Sequence, residues 1–259
     1  MAIHLAGFLE SLDPAGAFVG MAALQDDKVF TQGDNLRVPE LNNVIALAGG
    51  GENTAEPRIR LTSPTLDQFT RYEIAPLNVG AAAAVEPGSP HRLVKLFNAP
   101  LVLGIDENLR VDINSNPAAA QVQWALLWFS DGPVQPIGRG AMFTVRGTGT
   151  TTLTANAWTP SQITLDDELP PGRYQIVGMR ASSAGCIAAR IVNRTGSQWR
   201  AGVLGCDVID DIEDVAFRYG NMGVLAEFPF TQLPDFEFLS VSADTAETVH
   251  LDLIRIGAA

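Results

Sequence analysis

Val122-Gln123-Trp124-Ala125-Leu126-Leu127-Trp128-Phe129 reads as an extended segment that is apolar on both faces. Trp124 and Trp128 fall on one side, and Leu127 and Phe129 on the other. Such a strand has to be covered on both sides, in a core or at a subunit contact. Period-two patterning continues outward from it. Arg58-Ile59-Arg60-Leu61-Thr62 and Arg71-Tyr72-Glu73-Ile74 alternate polar and apolar residues, as half-buried strands do, and Tyr174 to Arg180 is another strand. Phe236–Ala243 and Thr248–Ile256 read as a hairpin joined by Asp244-Thr245-Ala246-Glu247. In its second arm Val249, Leu251 and Leu253 face one way, and His250 and Asp252 the other.

Turn signals separate these segments: Gly49-Gly50-Gly51, Pro87-Gly88, Asp131-Gly132-Pro133, Pro170-Pro171-Gly172 and Pro234-Asp235. The 24 glycines and 16 prolines suit many short strands better than helices. About sixteen strand candidates divide evenly around Asn116-Pro117-Ala118-Ala119-Ala120. The expected fold is therefore all-β: two tandem jelly-roll sandwiches, residues 1–119 and 120–259, with one larger sandwich as the competing topology. Two short helices complete the expectation. Ile3, Leu5, Phe8, Leu9 and Leu12 recur at near-helical spacing up to Ser11-Leu12-Asp13-Pro14. That helix either packs on the body or contacts a neighbouring subunit or an internal membrane, although it lacks a basic polar face. The second helix is Asp207–Tyr219, acidic at its start.

Composition narrows the function. The 259 residues are 46% hydrophobic, enough for a sizeable core, and only 18% charged, below the ~25% usual for globular domains. A low charge density fits either a surface that meets other subunits or one rich in uncharged polar residues. The net charge of −12 and the absence of Lys or Arg before Lys28 argue against direct nucleic-acid binding. Cys186 and Cys206 do not make a disulfide scaffold and are expected to be free buried thiols. The N-terminus lacks the basic region of a signal peptide, and no apolar run reaches 18 residues. The chain is thus expected to stay in the cytoplasm until it assembles, and the sequon Asn193-Arg194-Thr195 carries little meaning there.

No constellation for catalysis emerges. His4, His91 and His250 stand apart with no metal-ligand spacing, and neither Cys-x-x-Cys nor a Gly-x-Ser-x-Gly elbow is present. Gly49–Gly51 is followed by Glu52 rather than Gly-Lys-Ser/Thr, so it reads as a flexible turn and not a phosphate loop. Asp207, Asp210, Asp211, Glu213 and Asp214 lack calcium-loop spacing and read as a solvated helix face. Asp166-Asp167-Glu168 reads as a charged turn, and Asp112, Asn114 and Asn116 as a strand-end turn. Trp124 and Trp128 belong to the core, which leaves Trp158 and Trp199 as the aromatic candidates for ligand or partner contact. No catalytic, cofactor or metal residue is assigned, and the chain is expected not to be an enzyme.

From Gln121 onward the texture becomes distinctive. Trp124–Asp131 leads into Phe143-Thr144-Val145-Arg146, the threonine-rich Thr148–Thr154, Pro170–Arg180 and Ile187-Ala188-Ala189-Arg190, and the chain closes on Leu251-Asp252-Leu253-Ile254. This resembles the jelly-roll major capsid proteins of tailless icosahedral bacterial viruses, particularly the compact double jelly-roll type. The resemblance covers about the C-terminal 140 residues and is one of style and strand order rather than of a signature motif. It implies two upright sandwiches, a homotrimer of pseudo-hexagonal outline, contacts with neighbouring capsomers and other capsid proteins, and commonly an internal membrane that separates shell from genome. It also implies a virion location. The alternative function is a β-sandwich binding module, such as a viral spike or a carbohydrate-binding protein that exposes Trp158 or Trp199.

Overall fold

The computed structural model describes residues 1–51, 58–68, 72–74, 78–79, 93–115, 119–137, 141–194, 198–207 and 214–257. It is all-β and divides into two compact units, His4–Gly88 with Arg92–Pro133, and Val134–Ala259 with Met1–Ile3. The main strands of the first unit are β1 (Ile3–Leu12), β2 (Asn35–Arg37), β3 (Asn43–Gly51), β4 (Arg58–Thr62), β5 (Tyr72–Ile74), β6 (Leu101–Val102), β7 (Leu109–Asn114) and β8 (Gln121–Ser130). They form two sheets, ordered β1-β8-β3-β6 and β2-β7-β4-β5. The first strand neighbours the eighth, the second the seventh, the third the sixth and the fourth the fifth. That is a long hairpin folded over on itself, the winding of a jelly roll.

Several sequence expectations change in this unit. Residues 3–12 form a strand and not a helix. His4, Leu5, Ala6, Gly7 and Phe8 are all buried, so apolar residues are needed on both faces and the period-two signal blurs into a helix-like one. The unit boundary falls between Pro133 and Val134 rather than at 119/120, because β8 lies inside the first sheet between β1 and β3. Ladder partners such as Leu126↔Ala48 and Leu127↔Leu47 hold it there. Trp124 and Trp128 are fully buried on one face, with Leu127 and Phe129 buried on the other. Gly49–Gly51 is the buried end of β3 rather than a turn, and a Cβ at Gly51 would collide with the Gln123 side chain opposite it.

The second unit repeats the plan with β9 (Met142–Gly149), β10 (Ala157–Ser161), β11 (Arg173–Ser182), β12 (Cys186–Val192), β13 (Gly202–Cys206), β14 (Ala226–Pro229), β15 (Asp235–Ser240) and β16 (Glu247–Gly257). Its antiparallel neighbours are again β9·β16, β10·β15, β11·β14 and β12·β13. Here the two layers are also joined. β11 and β13 pair in parallel at Ala181↔Gly205 and Ser182↔Cys206, which makes one continuous sheet.

β15 and β16 do not form the expected hairpin. β15 pairs with β10 and β12, β16 with β9 and β11, and the intervening loop crosses between layers. Asp244 anchors that crossing by accepting from the Ala184 N–H at 2.8 Å. The helix expected over 207–219 is reduced to a 3-10 turn, Val215–Phe217, capped by Asp214, whose side chain accepts from the Ala216 N–H. Residues 208–213 of that expectation lie outside the described residues.

Candidate functional site

Three places in the second unit gather polar or aromatic side chains. The first lies on the outward face of β16, where Asp252 is fully buried because the 215–220 segment lies across it. Arg218 donates to both Asp252 oxygens at 2.8 Å, the Tyr219 N–H donates at 2.9 Å and Thr144 Oγ1 at 2.7 Å. Burial acts to raise the Asp252 carboxyl, but these donors outweigh it and hold the group below the usual carboxylate range. Gly178 makes the close approach possible, since a Cβ there would meet the backbone of Arg218 and Tyr219 within 2.8 Å. Every acceptor position of Asp252 is occupied by the protein itself, so this cluster pins a segment in place.

The second place surrounds Trp158. The Arg190 guanidinium, 1% exposed, lies 4.1 Å from the Trp158 ring centroid and donates through Nε to Glu237 at 2.6 Å. Arg200 reaches the same Glu237 oxygen at 3.2 Å. Two cations on one carboxylate satisfy a buried network, and the cation–π contact occupies an aromatic face that a sugar ring would otherwise use. Trp158 is therefore a packing residue here.

The third place is a cleft of about 720 Å³ along β14. Ile191, Trp199, Leu225 and Phe228 form its apolar walls, with Arg173 and Glu227 among the polar lining. Arg173 is well exposed and stands 3.6 Å from Glu227, while Gln175 donates to Glu227 at 2.6 Å. Asn193 donates to the Glu227 carbonyl, and Pro229 has no N–H, so the outer edge of β14 is blunted against pairing with another strand. Its size and mixed lining are those of a binding pocket. Of the residues singled out from sequence, only Trp199 and Asn193 reach it. Arg173, Leu225 and Phe228 carried no sequence signal, because it is the β11·β14 pairing that brings them to one place.

The remaining candidates are dispersed. His4 is buried against Asp26 at 3.2 Å, His250 is half-buried on β16 opposite Arg146 and Arg180, and His91 lies outside the described residues. Asp112 is not in a turn but inside β7, where it binds Arg60 and Arg110, and Asn114 donates to the Gly16 carbonyl; Asn116 is outside the described residues. Asp166 pairs with Arg146 at 3.4 Å, and Asp207 accepts from the Gly185 N–H, while Asp210, Asp211 and Glu213 are not described. Cys186 and Cys206 are buried and not joined by a disulfide, and burial pushes the Cys186 thiol far up, out of the reactive range. Among the described residues no group of three or more His, Cys, Asp or Glu could hold a metal ion, and no helix is long and apolar enough to cross a membrane.

These features define a class by fold alone: an all-β protein of two jelly rolls in tandem. No protein-family model, curated protein or solved structure matches the chain.

Proposed function

We propose that the chain is a structural shell subunit, a major capsid protein that self-associates into an icosahedral particle. The observation that carries this reading is the duplicated architecture: two complete eight-strand jelly rolls follow one another in a single chain, with the same neighbour rule in both. A fold hosts many functions, so the surface has to support the reading as well. What the surface offers is a set of single apolar side chains left in water: Ile105, Phe30, Val215, Val102 and Tyr219 are each more than half exposed, and assembly would cover them. The polar clusters contribute negatively, since Asp252, Glu237 and Asp112 are each consumed by arginines that hold the fold together. On this reading the subunit forms a homotrimer, contacts neighbouring capsomers in the virion and makes no direct contact with nucleic acid. The cleft beside Trp199 supports a second reading, that of a β-sandwich binding module.

Light scattering after size exclusion, followed by electron microscopy of the purified chain and of its source particle, separates the two. A shell subunit gives trimers and larger closed assemblies as concentration rises. A chain that stays monomeric at every concentration and is missing from particles overturns the shell reading.

A further inference from the structure

At the edge of the first jelly roll, the strand Phe30–Gln32 pairs with β2 in a hairpin closed by two residues, Gly33 and Asp34. Gly33 takes the positive φ (62°) that such a turn needs, and its carbonyl accepts from the Ala23 N–H at 3.0 Å. The register Phe30↔Arg37 and Gln32↔Asn35 puts these four side chains on one face of the ribbon. Leu36, 1% exposed, points the other way and, paired with Leu109 of β7, anchors the ribbon from behind. The outward face is therefore preset: an aromatic ring that is 61% exposed, two side-chain amides and a guanidinium. With Thr31 and Asn108 they line a pocket of about 450 Å³. Among the described residues its lining holds no carboxylate, in a chain whose net charge is −12.

Arg37 is the charged group of this pocket. Its guanidinium lies 4.5 Å from the Phe30 ring centroid. Its buried Nε has no hydrogen-bond partner, and no carboxylate pairs with it among the described residues. Asp34, the nearest carboxylate along the chain, is engaged elsewhere, with Arg110 at 3.1 Å and the Asn35 amide at 3.0 Å. Arg190 is the contrasting case, since it lies over Trp158 but commits its Nε to Glu237. The contact with Phe30 thus holds the Arg37 fork in position and leaves its donors unspent. We infer that this pocket binds an acidic saccharide, a uronate or a sialate, whose carboxylate is the partner of Arg37. The sugar hydroxyls meet the amides of Gln32, Asn35 and Asn108, a group type that both donates and accepts. The sugar ring packs along the part of Phe30 that Arg37 leaves open. A bare anion needs only the guanidinium, whereas three amides around one cation match a polyhydroxylated ring. The site stands on its own geometry and does not depend on the shell-subunit reading.

Saturation-transfer NMR on the full chain tests it, with glucuronate, N-acetylneuraminate, galactose and inorganic phosphate as probes. At least one of the two acidic sugars should bind saturably. Galactose, which leaves the Arg37 cation unpaired, should bind about tenfold more weakly or less. Saturation should be strongest on the sugar's ring protons, the part packed against Phe30. Arg37→Gln and Phe30→Ala should each weaken binding by about tenfold or more, with the circular dichroism of the wild type retained. Arg173→Gln, in the cleft of the second jelly roll, should leave binding unchanged. The probe series needs no variant and decides the matter even where a substitution unfolds the chain. Galactose binding as tightly as the acids removes the part given to Arg37, and phosphate binding as tightly reduces the pocket to a general anion site. Either result overturns the saccharide site, as does a complete lack of saturable binding. Binding that survives Arg37→Gln but is lost in Arg173→Gln overturns it too, by moving the ligand to the other cleft. The shell-subunit reading is untouched by each of these outcomes, since light scattering tests it separately.

Discussion

Glu247 is almost completely buried at the start of β16, and only one of its carboxylate oxygens has donors, the Thr151 N–H at 3.2 Å and Ser161 Oγ at 3.1 Å. Its other oxygen has no hydrogen-bond partner among the described residues. Burial pushes the carboxyl upward, so the folded chain holds this proton more tightly than the unfolded chain. Its contribution is complete below the unfolded value and is lost as pH rises through the folded one. Glu247→Gln, which copies the protonated form, should therefore flatten the fall in urea midpoint as pH rises above the usual carboxylate range. Asp252 is the opposite case. Its carboxyl lies below the usual range, so its contribution is present above the unfolded value and is lost as pH falls through the folded one. Arg218→Met strands this buried carboxylate and should cost about 3–5 kcal/mol in chemical denaturation, while adding Asp252→Leu recovers much of it.

At the scale of the element, β1 offers the sharpest contrast between two readings of one sequence. A surface helix over residues 3–12 would leave His4 near solvent, whereas the strand buries it completely against Asp26. His4→Lys should thus destabilise the chain by several degrees or more in thermal melts, where a surface helix would tolerate it. The same contrast explains what could be read beforehand. Strands with one wet face, such as Arg58–Thr62, announce themselves by alternation, and β8 does so by its unbroken apolar run. β1 is buried on both faces but contains Gly7 and His4, so its pattern mimicked an amphipathic helix. The hairpin expected for β15 and β16 failed for another reason. Sequence proximity favours pairing neighbours, while a folded-over hairpin pairs each strand with one far along the chain. The cleft was illegible for that reason as well: Trp199 was visible as an aromatic in a loop, but its companions come from β11, β12 and β14.

Over the whole molecule, the two jelly rolls share a winding but differ in how their layers are joined. In the first, residues 19–24 make the link: the Met21 N–H donates to the Val111 carbonyl in one sheet, while the Leu9 N–H donates to the Ala22 carbonyl and the Leu24 N–H to the Gly7 carbonyl of β1 in the other. In the second, the pairing of Ala181 and Ser182 with Gly205 and Cys206 runs a hydrogen-bonded seam from one layer into the other. Under tension the two kinds of link are loaded differently. The first unit's layers share a short connecting segment, and the second unit's layers share a strand-to-strand seam that has to be unzipped bond by bond. Pulled by its ends in an optical trap, the chain should release its two units in separate steps, each with its own length release. Cutting the seam with Ser182→Pro should lower the rupture force of the second unit and leave that of the first unchanged. The seam thus works as a fastening, set where two layers of the second unit would otherwise be free to shear.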